Sequence, residues 1–255
     1  MSKIVAIANQ KGGVGKTTTS INLAASLVKT KRRVLLVDVD PQSNATMGSG
    51  VPRGPLTHTI YDVLIGAVPM ADARITVEGG YDLVPATPEL AGAEVELVEV
   101  ERRERRLREA LEPLIKDYDF IFIDCPPALN LLTLNSLVAA RSVMIPMQCE
   151  YFALEGLTAL VNTIRRVRET LNPELQIEGL LRTMYDPRNA LANEVSAQLH
   201  SHFGDKLYNT IIPRNVRLAE APSFGKPVIA YDMASKGAQA YLALAGEILR
   251  REQAA

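Results

Sequence analysis

The chain is short of the residues that hold small secreted folds together. Of its 255 residues only Cys125 and Cys149 are cysteines, and none is tryptophan. One pair of thiols cannot staple a disulfide scaffold, so a reducing compartment is expected. No Cys-x-x-Cys spacing occurs, and His200 and His202, two apart, fall on different faces of a helix. No structural metal is expected, and both cysteines read as small buried hydrophobes. An excess of charge is missing as well. The 28 Lys+Arg and 29 Asp+Glu leave a net charge of −1, which excludes a protein that coats DNA through a global surplus of base. Any nucleic-acid contact must come from a local patch. Long apolar runs are also absent. Ile4–Ala8 is too short for a secretory signal, and the uncharged stretch 125–140 is interrupted by Pro126, Pro127, Asn130 and Asn135. A cytoplasmic protein without a membrane partner is expected.

What is present is an ordinary apolar content of 47% hydrophobic residues. At this length roughly three quarters of the unfolded chain's surface can be buried. Short, continuously apolar runs at Lys3–Ala8, Val34–Asp38, Phe120–Asp124, Val143–Met147 and Ile177–Met184 have the pattern of strands covered on both faces. Helical patterns lie between them: Thr17–Lys29, a long charge-laced stretch Glu94–Leu114, and a stripe of Leu154, Leu157, Val161, Ile164, Val167 and Leu171. This alternation predicts an α/β fold, a single doubly wound, mostly parallel sheet flanked by helices, over one domain spanning 1–255. Gly48–Pro55, rich in glycine and proline, is expected to be a surface loop inside that domain.

The strongest motif lies between the first strand and the first helix: Lys11-Gly12-Gly13-Val14-Gly15-Lys16-Thr17-Thr18. Glycines let the backbone close around phosphate oxygens so that successive N–H groups face them, and the helix start adds its positive dipole end. Lys16 is expected to bridge the β- and γ-phosphates, and the Thr17 hydroxyl to take a Mg²⁺ position. ATP and Mg²⁺ are the expected cofactors. Two apolar strands end in acids at the edge where open α/β sheets bind ligands: Asp38 and Asp40 after Val34–Val37, and Asp124 after Phe120–Ile123. Asp124 has the Walker B position, a strand-terminal carboxylate for a Mg²⁺-bound water.

The loop departs from the usual phosphate-binding spacing, with Gln10 where a glycine is common and a lysine, Lys11, next to it. In this it resembles the deviant Walker A loop of the ParA/MinD ATPases, P-loop NTPases. The strings Asp40-Pro41-Gln42, Asp124-Cys125-Pro126-Pro127 and Ile212-Pro213-Arg214-Asn215-Val216-Arg217 resemble the chromosomal ParA, or Soj, subgroup. The resemblance implies that Lys11 crosses a dimer interface to the partner's nucleotide and stabilises transition-state charge. It implies that Asp40 orients the attacking water, with a Mg²⁺ second-shell role, and leaves Asp38 structural. Pro213 and Asn215 would contact the adenine, although by pattern alone Asn215 reads as a helix cap. Arg188, Arg214 and Arg217 become candidates for DNA phosphate contact. The implied function is a chromosome- or plasmid-partitioning ATPase, slow alone. Its ATP-bound homodimer would bind double-stranded DNA non-specifically and be released by a ParB-type (Spo0J-like) centromere-binding partner, in a nucleoid-associated setting. The loop begins so early that no N-terminal helix-turn-helix domain is expected. The alternatives are a MinD-like membrane-cycling ATPase, for which the 246–255 tail is poorly amphipathic, and a nucleotide-dependent scaffold without turnover.

Overall fold

The apolar run at the N terminus forms β1 (Lys3–Ile7), whose alternate side chains enter two different cores: Ile4 and Ala6 on one face, Val5 and Ile7 on the other. The computed structural model describes residues 2–52, 54 and 56–254. After β1 come α1 (Lys16–Lys29), β2 (Val34–Asp38), α2 (Asn44–Gly48), α3 (Ile60–Ile65), β3 (Ile75–Thr76), β4 (Asp82–Val84) and α4 (Leu90–Glu96). The chain continues through α5 (Arg106–Leu111), β5 (Phe120–Asp124), α6 (Leu131–Ala139), β6 (Ser142–Met147), α7 (Ala153–Thr170) and β7 (Gln176–Arg182). It closes with α8 (Ala190–Phe203), α9 (Val216–Glu220), α10 (Val228–Tyr231) and α11 (Lys236–Ala254).

The strands form one sheet in the order β3-β4-β2-β5-β1-β6-β7, parallel throughout except for the β3–β4 pair at one edge. β2 and β5 are buried at every position, as continuous apolarity requires of central strands. One face of the sheet is covered by α3 to α7, the other by α1 and α11. α11 lies on α1, with Leu244, Ala245 and Ile248 buried and the Tyr241 hydroxyl 3.1 Å from Thr19 Oγ1. The register sets Asp124 beside both Ile7 and Asp38, so the carboxyl ends of three strands meet at one edge.

Two sequence expectations are corrected. Glu94–Leu114 is not one helix. α4 stops at Glu96, a 3-10 turn covers Leu97–Glu99, Arg102 takes a left-handed conformation with φ 56°, and α5 starts only at Arg106. The valines at 95, 98 and 100 disfavour helix continuation, and Asn135 fixes the restart: its Nδ2 donates to the Arg103 carbonyl and its Oδ1 accepts from Leu107 N. Gly48–Pro55 is not wholly a surface loop either. α2 runs to Gly48, and Gly48, Ser49 and Val51 are buried, with the Ser49 hydroxyl 2.7 Å from the Tyr81 hydroxyl; Arg53 and Pro55 lie outside the described residues. β3 and β4 have no counterpart among the expected strands, being too short to show a period.

Candidate nucleotide site

The site is built at the edge where β1, β2 and β5 end. Gly13 and Gly15 adopt φ of 72° and 88°, a left-handed turn that glycine makes at no steric cost, and Gly15 is the N-cap of α1. The following residues put their polar groups toward β5. The Thr17 hydroxyl donates to Asp124 Oδ2 at 2.8 Å, and the Ser20 hydroxyl lies 2.7 Å from Asp124 Oδ1. Lys16 is buried, and its Nζ donates to the Lys11 carbonyl at 3.2 Å. Burial pulls its pKa down, against the opposing pull of Asp124 and Asp40 nearby.

The acids at the strand ends divide their work. Asp38 is fully buried and committed to the backbone: Oδ1 accepts from Asp40 N at 3.1 Å, and Oδ2 from Thr46 N at 2.8 Å and the Thr46 hydroxyl at 2.7 Å. It is the structural acid that the sequence suggested. Burial, with Asp124 alongside, pushes its pKa up to about 7; burial pushes Asp124 up to about 6. Asp40 instead faces the cavity, with Oδ1 accepting from Gln42 N at 2.9 Å.

That cavity has a volume of about 910 Å³. One wall is the phosphate loop with Gly12, Gly13, Gly15, Lys16, Thr17 and Thr18; the other is Pro213, Arg214 and Asn215, which arrive from the far end of the chain. Asn215 stands at the N-cap of α9 but makes no capping bond, and its Oδ1 is buried without a partner. The residue thus lines the cavity with its amide oxygen unpaired. Asn215→Ala is expected to leave thermal stability essentially unchanged and weaken ATP binding about tenfold, the worth of one good hydrogen bond, measured by titration with a fluorescent ATP analogue. A lowered melting temperature with unchanged affinity would return the residue to a capping role.

Not every expected residue reaches the cavity. The side chain of Val14 is buried below the loop, and its carbonyl accepts from the Thr183 hydroxyl at 2.7 Å. Lys11 extends away from the loop into an ion pair with Glu150, both side chains about half exposed. Arg188 and Arg214 come together around Asp186, because residues 185 and 213 pair as a parallel bridge. Arg188 is bound to that aspartate at 2.8 Å, whereas Arg217 pairs with Glu220 at 2.7 Å and Asp232 at 3.3 Å. Burial pushes the Cys125 and Cys149 thiols up to about 12 and 11, which leaves them inert.

Some lining residues escaped the sequence. Thr183, just past the carboxyl end of β7, supports the loop, and Asn22 ties α1 to α10 by donating to Thr18 O and accepting from Val228 N, both at 2.7 Å. Thr183 could have been found from the rule that ligands gather at strand carboxyl ends. Asn22 carries no comparable signal. Among the described residues no cluster of three acidic, histidine or cysteine side chains could hold a metal alone. Thr17 and Asp124 nevertheless form an all-oxygen pair beside the cavity, the donor set that suits Mg²⁺ when phosphates complete its shell.

The chain is similar to known proteins. A family model described as an AAA domain matches residues 2–177. The chromosome partitioning protein ParA of Caulobacter vibrioides is 53% identical over 98% of this chain and 95% of its own length. The sporulation initiation inhibitor protein Soj of Bacillus subtilis is 54% identical over 97% of this chain and 98% of its own. The chain belongs to the ParA/MinD family of deviant Walker A P-loop ATPases. Among solved structures, a cobyrinic acid a,c-diamide synthase of Mycobacterium smegmatis with a bound ATP analogue and magnesium superposes on this ParA-type chain with a TM-score of 0.87. It is 38% identical and covers 99% of this chain and 96% of that one. The doubly wound sheet flanked by helices is therefore the family's own fold.

Proposed function

We propose that this protein is a ParA/Soj-type partitioning ATPase of a single domain, hydrolysing ATP with Mg²⁺ and cycling on and off DNA. One observation carries it: a single cavity joins a phosphate loop, the Asp40 carboxylate and a Pro213–Asn215 wall, while the extra lysine, Lys11, stays outside it. Lys16 and the loop N–H groups hold the phosphates, Pro213 and Asn215 hold the base, and Thr17 and Asp124 hold the metal with Asp40 near its shell. Bound Mg²⁺ neutralises charge on the phosphate oxygens. Asp40 orients the water. Lys11 serves the nucleotide of a second copy, which makes the active form an ATP-dependent homodimer.

DNA is held through Arg188, Arg214 and Arg217, two sets of them in the dimer, and a ParB-type (Spo0J-like) centromere-binding protein accelerates hydrolysis and release. Dimerisation doubles the phosphate contacts, on which both affinity and its salt dependence rest. The membrane-cycling alternative is disfavoured by α11, whose apolar face is already packed on α1 instead of being free for a membrane surface.

The test is ATP-dependent binding to duplex DNA across a salt series, with anionic vesicles in parallel. Binding to DNA with ATP alone, falling steeply with salt, is expected; lipid binding without DNA binding would sink the proposal. In the same assay Arg217→Ala is expected to lower DNA affinity a few-fold and the salt slope by about one per lost contact. The effect is kept modest because Glu220 and Asp232 compete with phosphate for the guanidinium. Unchanged DNA retention would remove Arg217 from the interface.

A further inference from the structure

The end of α4 and the residues that follow it take no part in the nucleotide chemistry. From Glu94 to Glu101 the chain reads Glu-Val-Glu-Leu-Val-Glu-Val-Glu, four acids with no base among them. None of the four forms an ion pair among the described residues; Glu96 accepts only from the Tyr61 hydroxyl, at 2.8 Å. Of the valines, Val95 and Val98 are 75% and 54% exposed, whereas Leu97 is fully buried and anchors the segment. Beside Val98 a groove of about 470 Å³ opens against the N-terminal turn of α6, lined by Glu94, Val98, Arg103, Leu129, Leu131 and Leu134 among others. Leu129 is 44% exposed there, and Glu94 Oε1 is buried with no hydrogen-bond partner. The lining cation, Arg103, donates from its guanidinium to the Val98 carbonyl instead.

An apolar groove with an acidic rim and an unsatisfied buried carboxylate oxygen is complementary to one kind of occupant. We propose that this groove docks a segment of a partner protein that inserts apolar side chains beside Val98 and Leu129 and offers a lysine or arginine to Glu94. A second copy of this chain fits less well, since its own exposed apolar segment here is equally acidic. The groove also has a route to the nucleotide site. Leu129 lies in the turn between Asp124 at the end of β5 and Asn130 at the N-cap of α6, and Pro127 of that turn lines the nucleotide cavity. The turn is tied to α6 on both sides of Leu129: the Thr133 hydroxyl donates to Ala128 O at 2.6 Å, and Thr133 N donates to Asn130 Oδ1 at 3.1 Å. Pressure on Leu129 therefore moves a loop that touches both Asp124 and the cavity, which suits a partner that alters turnover.

The identity of that partner rests on the partitioning function proposed above, so the probe is the ParB-type protein of the same genome, added to the full chain with ATP and duplex DNA. Val98→Asp and Glu94→Lys are compared with the native chain for partner binding, stimulated hydrolysis, basal hydrolysis and melting temperature. Both variants are expected to lose about tenfold or more in partner affinity and stimulation while basal hydrolysis and folding stay as they were. Partner binding by the native chain should also weaken with salt. If the native chain is stimulated and both variants respond equally, the groove is not the docking site and the proposal is overturned. If the native chain is neither bound nor stimulated, the partitioning function itself fails, and this partner with it.

Discussion

Asp40→Ala is expected to bind ATP as the native chain does and to hydrolyse it about 10²-fold more slowly or worse, the usual cost of losing a group that positions or accepts from the attacking water. The expectation depends on how the two acids at the exit of β2 divide their work. Asp38, buried completely, spends both oxygens on Thr46 and the Asp40 amide, so it holds the strand's exit in place. Asp40, two residues on, has one oxygen on the Gln42 amide and lines the same cavity as Lys16 and Thr17. Removing it leaves the phosphate loop, Thr17 and Asp124 untouched, so the binding surface is expected to persist while the proposed guide of the water is lost. Nucleotide affinity comes from titration with a fluorescent analogue, and turnover from phosphate release with DNA and the ParB-type partner present. Should the variant fail to bind nucleotide, Asp40 is a structural residue and the water must be oriented by another group.

That division was visible in the sequence only in part, and the reason is physical. A strand ending in acid reports its own chemistry, because continuous apolarity marks a buried strand and a carboxylate at its end has to leave the core. Thus β1, β2, β5, β6 and β7, together with Lys16, Thr17, Asp40 and Asp124, could be placed from local pattern. Glu94–Leu114 could not, because its charge pattern is helical in composition while the left-handed turn at Arg102 and the clamp from Asn135 depend on α6, a contact some 30 residues away in sequence. Pro213 and Asn215 were found through resemblance alone: nothing near them in the chain signals a cavity whose other wall is 200 residues earlier. The arginines are a different case. Their positions were legible, but the carboxylates that hold Arg188 and Arg217 were not, since Asp186, Glu220 and Asp232 gain meaning only once the backbone brings them into reach.

Lys11→Ala is expected to keep one nucleotide bound per chain, lose the ATP-dependent dimer and slow hydrolysis by about 10³-fold, the scale of a lost arginine finger. Within one chain the two lysines of the loop are not equivalent. Lys16 is buried and lines the cavity, in place to meet the phosphates of its own nucleotide. Lys11 contributes its carbonyl to Lys16 but sends its ammonium outward to Glu150, where about half of each side chain is in water. An ion pair so exposed contributes about 1 kcal/mol at most, so exchanging Glu150 for the phosphates of a facing nucleotide costs little and gains the charge-assisted bonds of a desolvated interface. In the single chain the ammonium is directed to Glu150 and not into the cavity, which is consistent with the proposed use of Lys11 on a second copy. Light scattering with a non-hydrolysable ATP analogue reads the dimer, and phosphate release reads turnover. A variant that still dimerises and hydrolyses would leave Lys11 as a solvated loop cation tethered to Glu150, and the catalytic charge would then have to come from within one subunit.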